Sequence, residues 1–236
     1  MALTLDKSGQ AVSVDWSKLD HVLLDMDGTL LDLSYDNDFW GYRVHEHYAA
    51  LNNCTIEDSI ARFEPIFDAV SGTLDWYCTD HWSRHFGFSI IDLSRQHAAT
   101  IRWRFDALTF LRRLHRSHLS CIMVTNAHPD IVAMKQTQTS ITDYFDQVVS
   151  SHDYGACKES QQFWRTLQTN IGFDPERTLF IDDSTAVIDS AIDYGIKNTL
   201  TVSQPDTERA DRTDLATPTV CRFAQIMTTL PELRFS

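Results

Sequence analysis

Residues 21–30 read HVLLDMDGTL, an apolar run followed by two carboxylates and a glycine. The run predicts a buried strand, and because side chains alternate along a strand, Asp25 and Asp27 can lean toward one site just past its end. Burying two like charges this close is costly, so the pair indicates either a cation between them or one carboxyl group held protonated. Both conditions suit phosphoryl transfer, whereas a surface turn after a strand is the plain structural alternative.

A second acidic segment lies far downstream, where residues 178–184 read TLFIDDS and an apolar run ends in Asp182 and Asp183. Two such strand ends can meet only if the strands are neighbours in one sheet. A parallel sheet brings them together because all its strands end at the same edge, where open α/β proteins bind ligands. We therefore expect the two acidic segments to share one site.

Between the acidic segments, residues 119–126 read LSCIMVTN, a third apolar run that ends in Thr125 and Asn126. Lys158 follows it and is one of only five lysines in the chain. A single lysine is usually a solvated surface residue. Its position between the other segments is what makes Lys158 a candidate site residue.

Strand and helix patterns alternate after about residue 105. Strands are predicted around Cys121 and at 147–150, 178–182 and 199–202, and helices at 105–118, from Pro129, at 159–171 and at 185–194. Repeated βα units with short connections predict an α/β fold with a doubly wound parallel sheet.

The segment 33–104 interrupts this alternation, because it is rich in aromatic residues and shows helical spacing without convincing strands. We expect it to form a helical cap domain inserted into an α/β core made of residues 1–32 and 105–236; the alternative is that it is simply more of the core. Five aromatic residues are expected to pack in the cap, and one or two of them could stack on a base: Trp40, Trp76, Tyr77, Trp82 and Trp103.

Taken in order, these four polar segments resemble the four motifs of the haloacid dehalogenase-like (HAD) hydrolase superfamily. Longer strings are similar to bacterial purine nucleotidases of that superfamily: DMDGTLLDL at 25–33, DNDFW at 36–40, LDWYC at 74–78, TNAHP at 125–129 and ERTLFIDDS at 176–184. The resemblance implies a HAD-like core, a phosphatase activity and a small phosphorylated substrate, with purine nucleoside monophosphates such as GMP and IMP preferred. One departure is that many relatives carry a proline beside the motif lysine, whereas Lys158 has Cys157 and Glu159 as neighbours.

The resemblance also assigns catalytic roles. Asp25 is the candidate nucleophile, since a carboxylate that attacks phosphorus forms an aspartyl-phosphate and splits one hard hydrolysis into two easier displacements. Asp27 is the candidate general acid and then base, a role that requires it to be protonated at the outset. Thr125 with the N–H groups after it is expected to hold the phosphoryl oxygens, and Lys158 to neutralise charge on the phosphate and the nucleophile.

Mg²⁺ is the implied cofactor, because it prefers six oxygen ligands and usually keeps some waters. The expected protein ligands are Asp25, the backbone oxygen of Asp27, and Asp183, with Asp182 holding a coordinated water. The reverse order of Asp182 and Asp183 stays open.

Substrate contacts are expected from Thr125, Asn126 and Lys158, and also from His128, which follows the Thr125 motif. Asn37 and Trp40, where the cap begins, are candidates for reading the rest of the substrate. His45 with His47, and His81 with His85, have spacings that could bind a transition metal, but solvated cap histidines are the favoured interpretation.

Composition excludes several other classes. The chain has 236 residues and a formal charge of −13, which argues against a nucleic-acid polymer as partner. Five cysteines without C-x-x-C spacing favour reduced thiols in a cytoplasm. Because there is neither an apolar run of transmembrane length nor a signal-peptide pattern, we expect a protein that does not contact a membrane.

Rival activities of the same superfamily remain to be weighed. A phosphonatase needs a lysine in the cap, and residues 33–104 contain none. A haloacid dehalogenase usually lacks the second aspartate, whereas Asp27 is present. A phosphatase or phosphomutase of sugar phosphates and a non-catalytic nucleotide-binding regulator remain as alternatives, and the sequence does not determine an oligomeric state.

Overall fold

The computed structural model describes residues 1–230, and a six-stranded parallel sheet lies at its centre. Its strands are β3 (His21–Leu24), β4 (Ser120–Thr125), β5 (Gln147–Ser150), β6 (Thr178–Asp182), β7 (Asn198–Val202) and β8 (Thr219–Val220), in the order β5-β4-β3-β6-β7-β8. A separate antiparallel hairpin, β1 (Leu3–Leu5) and β2 (Ala11–Val14), precedes the sheet. The predicted parallel α/β architecture is confirmed.

The strand order reverses beside β3, because β4 and β5 extend the sheet on one side and β6 to β8 on the other. Leu24 pairs with Ile181, so the next residues, Asp25 and Asp182, leave the sheet side by side. The Asp25 N–H donates to the Ile181 carbonyl at 3.0 Å and extends this pairing by one residue. A strand-order reversal of this kind is where open α/β sheets bind ligands.

Helices cover both faces of the sheet, and β3 is therefore buried on both sides. Val22 and Leu24 point into one apolar cluster, whereas Leu23 points into the other. The helices of this part are α6 (Ala107–Leu114), α7 (Pro129–Thr139), α8 (Ser151–Tyr154), α9 (Gln161–Ile171), α10 (Thr185–Tyr194) and α11 (Ala224–Met227). Residues of α6 and α7 pack in the first cluster and residues of α9 and α10 in the second, so the fold is doubly wound.

Between β3 and α6 the chain forms helices, and residues 34–100 contain no strand. These helices are α1 (Ser34–Asp38), a π-helical turn (Phe39–Arg43), α2 (Val44–Asn52), α3 (Ile56–Val70), α4 (Thr79–Phe86) and α5 (Ile90–His97). They have an aromatic core of their own, in which the rings of Phe63 and Phe86 stack at 3.9 Å and those of Phe67 and Trp82 at 4.0 Å. We call this segment the cap; its limits at residues 33 and 104 remain a prediction.

The elements predicted from sequence are found with small shifts at their ends. The helix predicted at 105–118 spans only Ala107–Leu114. It begins late because the Asp106 carboxylate accepts backbone N–H groups of Phe223 and Ala224, which fixes the turn ahead of the helix. The hairpin β1–β2 and the short strand β8 were not predicted, since three or four residues carry too little periodicity.

Short 3₁₀ turns connect several elements, at Trp16–Lys18, Leu74–Tyr77, Ala98–Thr100, Ile141–Tyr144 and Pro175–Arg177. Every helix among residues 1–230 is too short or too polar to cross a bilayer.

Candidate active site

One cavity of about 690 Å³ opens at the carboxyl edge of the sheet and continues under the cap. All ten side chains predicted to form the site line it: Asp25, Asp27, Asn37, Trp40, Thr125, Asn126, His128, Lys158, Asp182 and Asp183. The structure therefore brings together residues that span almost 160 positions of sequence, counted from Asp25 to Asp183. Their chemical roles remain predictions.

Lys158 links the two acidic segments. Its Nζ donates to Asp25 Oδ1 at 2.6 Å, to Asp182 Oδ2 at 2.7 Å and to the Val124 carbonyl at 3.1 Å. Only 2 % of Lys158 is exposed, so these three acceptors replace its hydration. Burial opposes the charged form, but the charges of Asp182 and Asp25 raise the pKa of Lys158 above its ordinary value. The lysine is therefore a fixed positive charge between the two strand ends.

The acidic groups at the same edge carry more negative charge than Lys158 can neutralise. Burial raises the pKa of Asp25 well above its ordinary value, against the pull of Lys158, and the charges of Asp182 and Asp183 raise it further. Burial and the Asp182 charge likewise raise the pKa of Asp183 to about 7. A cation among these carboxylates would relieve this repulsion.

The arrangement of these carboxylates fits Mg²⁺. One oxygen each from Asp25, Asp182 and Asp183 lies within 4.8 Å of the others, and carboxylate oxygens are the donors that Mg²⁺ prefers. Gly28 keeps the space open, because a Cβ at this position would lie 2.6 Å from Asp183 Cγ and Oδ2. Gly28 also has φ +75°, a conformation that glycine adopts without strain.

Asp182 and Asp183 differ in their hydrogen bonds. Both Asp182 oxygens are engaged, Oδ2 by Lys158 Nζ and Oδ1 by the Ser184 N–H at 2.8 Å. Among residues 1–230, the Asp183 side chain accepts no such bond, while its backbone carbonyl accepts one from Arg212 at 2.7 Å. This difference favours Asp183 as the direct metal ligand and Asp182 as the residue that holds a coordinated water.

The loop after β4 is fixed by its own polar groups. Thr125 Oγ1 accepts the Ala127 N–H at 3.1 Å, and Asn126 Oδ1 accepts the Lys158 N–H at 2.9 Å. Glu159, the unusual neighbour of Lys158, points elsewhere, since its carboxylate accepts from Asn126 Nδ2 at 3.0 Å and from the Tyr77 hydroxyl at 2.6 Å. It therefore fixes the loop and touches the cap without binding Lys158.

A second buried lysine was missed by sequence analysis. Lys135 on α7 is 1 % exposed, and its Nζ donates to Asp27 Oδ1 at 2.7 Å and to both Asp36 oxygens at 2.8 Å. Burial and the nearby Asp27 charge raise the pKa of Asp36 to about 7. Lys135 is 108 residues from Asp27 and lies on a helix without a clear apolar periodicity, so only its scarcity in the chain could have marked it.

The three peripheral candidates line the cavity but have protein partners as well. His128 caps α7, where its Nδ1 accepts the Asp130 N–H at 3.3 Å. Asn37 donates from Nδ2 to Asp206 at 2.7 Å, which leaves its Oδ1 as the remaining acceptor. Trp40 packs edge-on against Phe67 at 6.1 Å. The cap also supplies apolar side chains to the cavity lining, which we call the apolar lobe: Phe39, Trp40, Ile60, Phe67 and Trp76.

Two expectations about the cap are wrong. His45 is not a solvated histidine; it is 4 % exposed, contacts Ser59 Oγ at 2.9 Å and lies among phenylalanine rings. Trp103 does not belong to the cap core, because it packs against the apolar cluster of the sheet. The structure gives His45 and His47 no shared site, since His47 contacts Phe88 instead.

Comparison with known proteins supports the interpretation of the fold. Residues 19–195 match the family model for haloacid dehalogenase-like hydrolases. The chain is 36 % identical over 219 residues to the GMP/IMP nucleotidase YrfG of Escherichia coli (strain K12), a match that covers 93 % of this chain and 99 % of that protein.

Solved structures share the fold at low sequence identity. A HAD phosphatase from Thermococcus onnurineus is similar with a TM-score of 0.72 and 17 % identity, over 89 % of this chain and 94 % of that one. The HAD-hydrolase YfnB from Bacillus subtilis, solved with bound magnesium, is similar with a TM-score of 0.62 and 18 % identity, over 88 % of this chain and 96 % of that one.

Proposed function

The chain belongs to the haloacid dehalogenase-like hydrolase family, and from this membership we propose that it is a Mg²⁺-dependent phosphatase of purine nucleoside 5′-monophosphates. The observation that carries the proposal is the buried Lys158 between Asp25 and Asp182, with Asp27 and Asp183 beside them in one cavity. This arrangement places a nucleophile, a general acid or base and a cation site together at the carboxyl edge of the sheet.

The first step uses Asp25 as the nucleophile. A carboxylate oxygen of Asp25 bonds to phosphorus while the bond from phosphorus to the ester oxygen breaks, and Asp27 gives its proton to the departing nucleoside oxygen. Lys158 neutralises charge on Asp25 and on the phosphoryl group. Thr125 and the N–H groups after it hold the phosphoryl oxygens.

The second step is hydrolysis of the aspartyl-phosphate, which regenerates the enzyme. Water attacks the phosphorus of the aspartyl-phosphate, Asp27 takes the proton of that water, and the bond to Asp25 breaks to release inorganic phosphate. Asp25, Asp183 and the backbone oxygen of Asp27 would hold Mg²⁺, with Asp182 placing one of its waters. When bound, the ion supplies positive charge that offsets the negative charge on the phosphoryl oxygens.

The choice of purine nucleotides has two supports. One is the 36 % identity over 93 % of this chain to a protein named for GMP and IMP. The other is the apolar lobe of the cavity, in which aromatic rings such as Trp40 and Trp76 could stack on a base. Asn37 also lines the cavity, and its amide oxygen, which has no hydrogen-bond partner among residues 1–230, could accept from a base or ribose group.

The proposal is tested by phosphate release from IMP, GMP, AMP, UMP, a sugar phosphate and an aryl phosphate, each with and without Mg²⁺. We expect metal-dependent release that is fastest with IMP and GMP. Asp25→Asn should lower the rate by about three orders of magnitude or more, because the amide is a poor nucleophile. Asp189→Asn, an exposed change on α10, is the matched control and should leave the rate unchanged.

Other outcomes separate the alternatives. Equal rates on all esters would keep the mechanism and reject the purine preference. Conversion of sugar phosphates without phosphate release would indicate a phosphomutase. Absence of turnover on every ester, combined with nucleotide binding, would indicate a regulator. Wild-type rates in Asp25→Asn would reject the nucleophile assignment.

A further inference from the structure

A second group of metal-ligating side chains lies between the cap and the core. Cys78 comes from the cap, His128 from the loop after β4 and His152 from α8 after β5. One ligand atom from each lies within 4.8 Å of the others. Among residues 1–230, this group and the carboxylates of the active site are the two clusters with such geometry.

We propose that Cys78, His128 and His152 form a binding site for a transition-metal ion of the Zn²⁺ type, which would fasten the cap to the core. One thiolate and two imidazoles are borderline-soft donors that suit Zn²⁺ and Co²⁺ and suit Mg²⁺ poorly. Three protein ligands leave a fourth, open position for water or an anion. The ion at this site is therefore distinct in chemistry from the one proposed for the carboxylates.

The side chains need only small shifts to bind. Tetrahedral zinc with bonds of about 2.0–2.3 Å places its ligand atoms about 3.4 Å apart, so movements of about 1 Å suffice. His128 and His152 already pack with ring centroids 4.8 Å apart and planes at 72°. Edge-to-face imidazoles of this kind can direct nitrogens toward a common point.

Unsatisfied polar atoms point to a missing partner. His152 Nε2 is buried, and among residues 1–230 it has no hydrogen-bond partner, which is costly for a ring nitrogen. Cys78 Sγ is a free thiol that accepts the His81 N–H at 3.4 Å.

The carboxylate of Asp130 lies close to His128, one of the three proposed metal ligands. Asp130 Oδ2 lies 3.6 Å from His128 Nδ1. In the structure His128 Nδ1 accepts the Asp130 N–H, so metal binding through Nε2 would place the ring proton on Nδ1 and exchange that bond for one donated to the Asp130 carboxylate. A carboxylate partner of this kind orients metal-bound histidines in many sites. Asp130 is thus a positioning residue for the proposed site.

The proposed metal site lies next to the active-site cavity, so metal binding there should affect the rate of turnover. His128 also lines the active-site cavity, and Cys78 follows Tyr77, which touches the core through Glu159. A metal bond from Cys78 to the two histidines would hold the cap against the core and slow the exchange of substrate and product. This consequence rests on the proposed phosphatase function, whereas metal binding does not.

Co²⁺ is the probe for binding, because a cysteine thiolate bonded to Co²⁺ gives a near-ultraviolet charge-transfer band that carboxylates cannot give. Chelator-treated, reduced protein is titrated with Co²⁺ in excess Mg²⁺, which keeps the carboxylate site filled. We expect a band that saturates at one equivalent in the wild type and in Cys54→Ser, a matched cysteine change in the cap outside the cluster. Cys78→Ser should abolish the band.

His152→Ala supplies the second variant, with an expected loss of Co²⁺ affinity of about 100-fold or more. Circular dichroism and thermal unfolding of each variant establish that the fold is retained. No band in the wild type, or a full band in Cys78→Ser, would overturn the site. Zn²⁺ should also inhibit phosphate release by the wild type but not by Cys78→Ser; equal inhibition of both would overturn the fastening role.

Discussion

At the scale of single residues, two lysines supply the buried positive charge of the candidate site. Lys158 binds Asp25 and Asp182, whereas Lys135 binds Asp27 and Asp36. Each aspartate of the first motif therefore has its own ammonium group. These two ammonium groups do not offset the five aspartates beside them, so the proposed anionic substrate needs the further positive charge of a bound cation.

Gly28 is the residue at which the smallest change should have the largest effect. Gly28→Ala places a methyl group 2.6 Å from the Asp183 carboxylate at φ +75°, so it should lower the free energy of unfolding by about 2–4 kcal/mol. The Mg²⁺ concentration needed for activity should rise, because Asp183 must move. Urea unfolding and a Mg²⁺ titration of turnover measure the two effects.

Gly41→Ala is the control for this prediction. Gly41 lies in a helical turn of the cap, and a Cβ there would meet nothing within 4 Å. The change should therefore stabilise the protein by about 0.5–1 kcal/mol. If Gly28→Ala is as stable as Gly41→Ala and needs no more Mg²⁺, the close approach of Gly28 to Asp183 has no functional importance.

At the scale of elements, the cap is held together by aromatic packing between its helices. Its buried core includes Phe39, Phe63, Trp82 and Phe86, contributed by the π-helical turn, α3 and α4. His45 on α2 is the polar member of this group, with Ser59 Oγ of α3 at 2.9 Å as its partner. Protonation of His45 would place a charge inside an apolar core.

Burial lowers the pKa of His45 below its ordinary value of 6.5. Between the folded and unfolded pKa values the unfolded chain binds a proton that the folded chain does not, so the free energy of unfolding falls as the pH drops through about 6.5. Part of this loss should disappear in His45→Gln, which cannot titrate. Urea unfolding of both proteins at about pH 7.5 and about pH 5.5 measures the difference.

The salt dependence of unfolding stability shows whether the pH effect of His45 comes from burial or from surface charges. Because desolvation causes the shift, the difference between wild type and His45→Gln should persist in about 1 M NaCl, where surface charges are screened. The same pH dependence in both proteins would show that His45 does not contribute to the acid sensitivity of the fold.

At the scale of the whole molecule, a few polar contacts join the cap to the core beside the active-site cavity. Lys135 of α7 reaches Asp36 of α1, and Tyr77 reaches Glu159. The first contact also includes Asp27, so the cap, the core and a proposed acid or base share one buried ion group. Cap position and catalytic geometry are thereby connected.

Lys135→Met should lower the free energy of unfolding by about 3–5 kcal/mol, because it leaves two carboxylates largely buried without their cation. Asp36→Asn in the same chain should recover part of this loss, since one of the two charges is removed. Urea unfolding of the single and double variants without metal measures both.

Lys197→Met is the matched control, and as an exposed change it should shift stability by less than about 0.5 kcal/mol. Equal effects of Lys135→Met and Lys197→Met would contradict a structural role for the ion group. Failure of Asp36→Asn to recover stability would assign the loss to Asp27 alone.

The sequence by itself determined the parallel sheet, the helical cap and the ten side chains that line one cavity. The sheet and its acidic strand ends follow from local rules: apolar runs form strands, glycine and proline end or begin helices, and parallel strands end at one edge. Asp25 and Asp182 therefore had to lie side by side once their strands were neighbours. Lys158 was predicted from its place among the motifs that resemble the HAD superfamily, and Asn37, Trp40 and His128 from their positions beside those motifs.

Only the tertiary structure decided which groups complete the site. Lys135 meets Asp27 across 108 residues, and Cys78, His128 and His152 come from three separate elements. The spacing of residues in the sequence does not predict these contacts, because they depend on how the helices of the cap and the core pack against the sheet. Strand periodicity is set by backbone geometry within a few residues, whereas these partnerships are set by the burial of charge in the assembled fold.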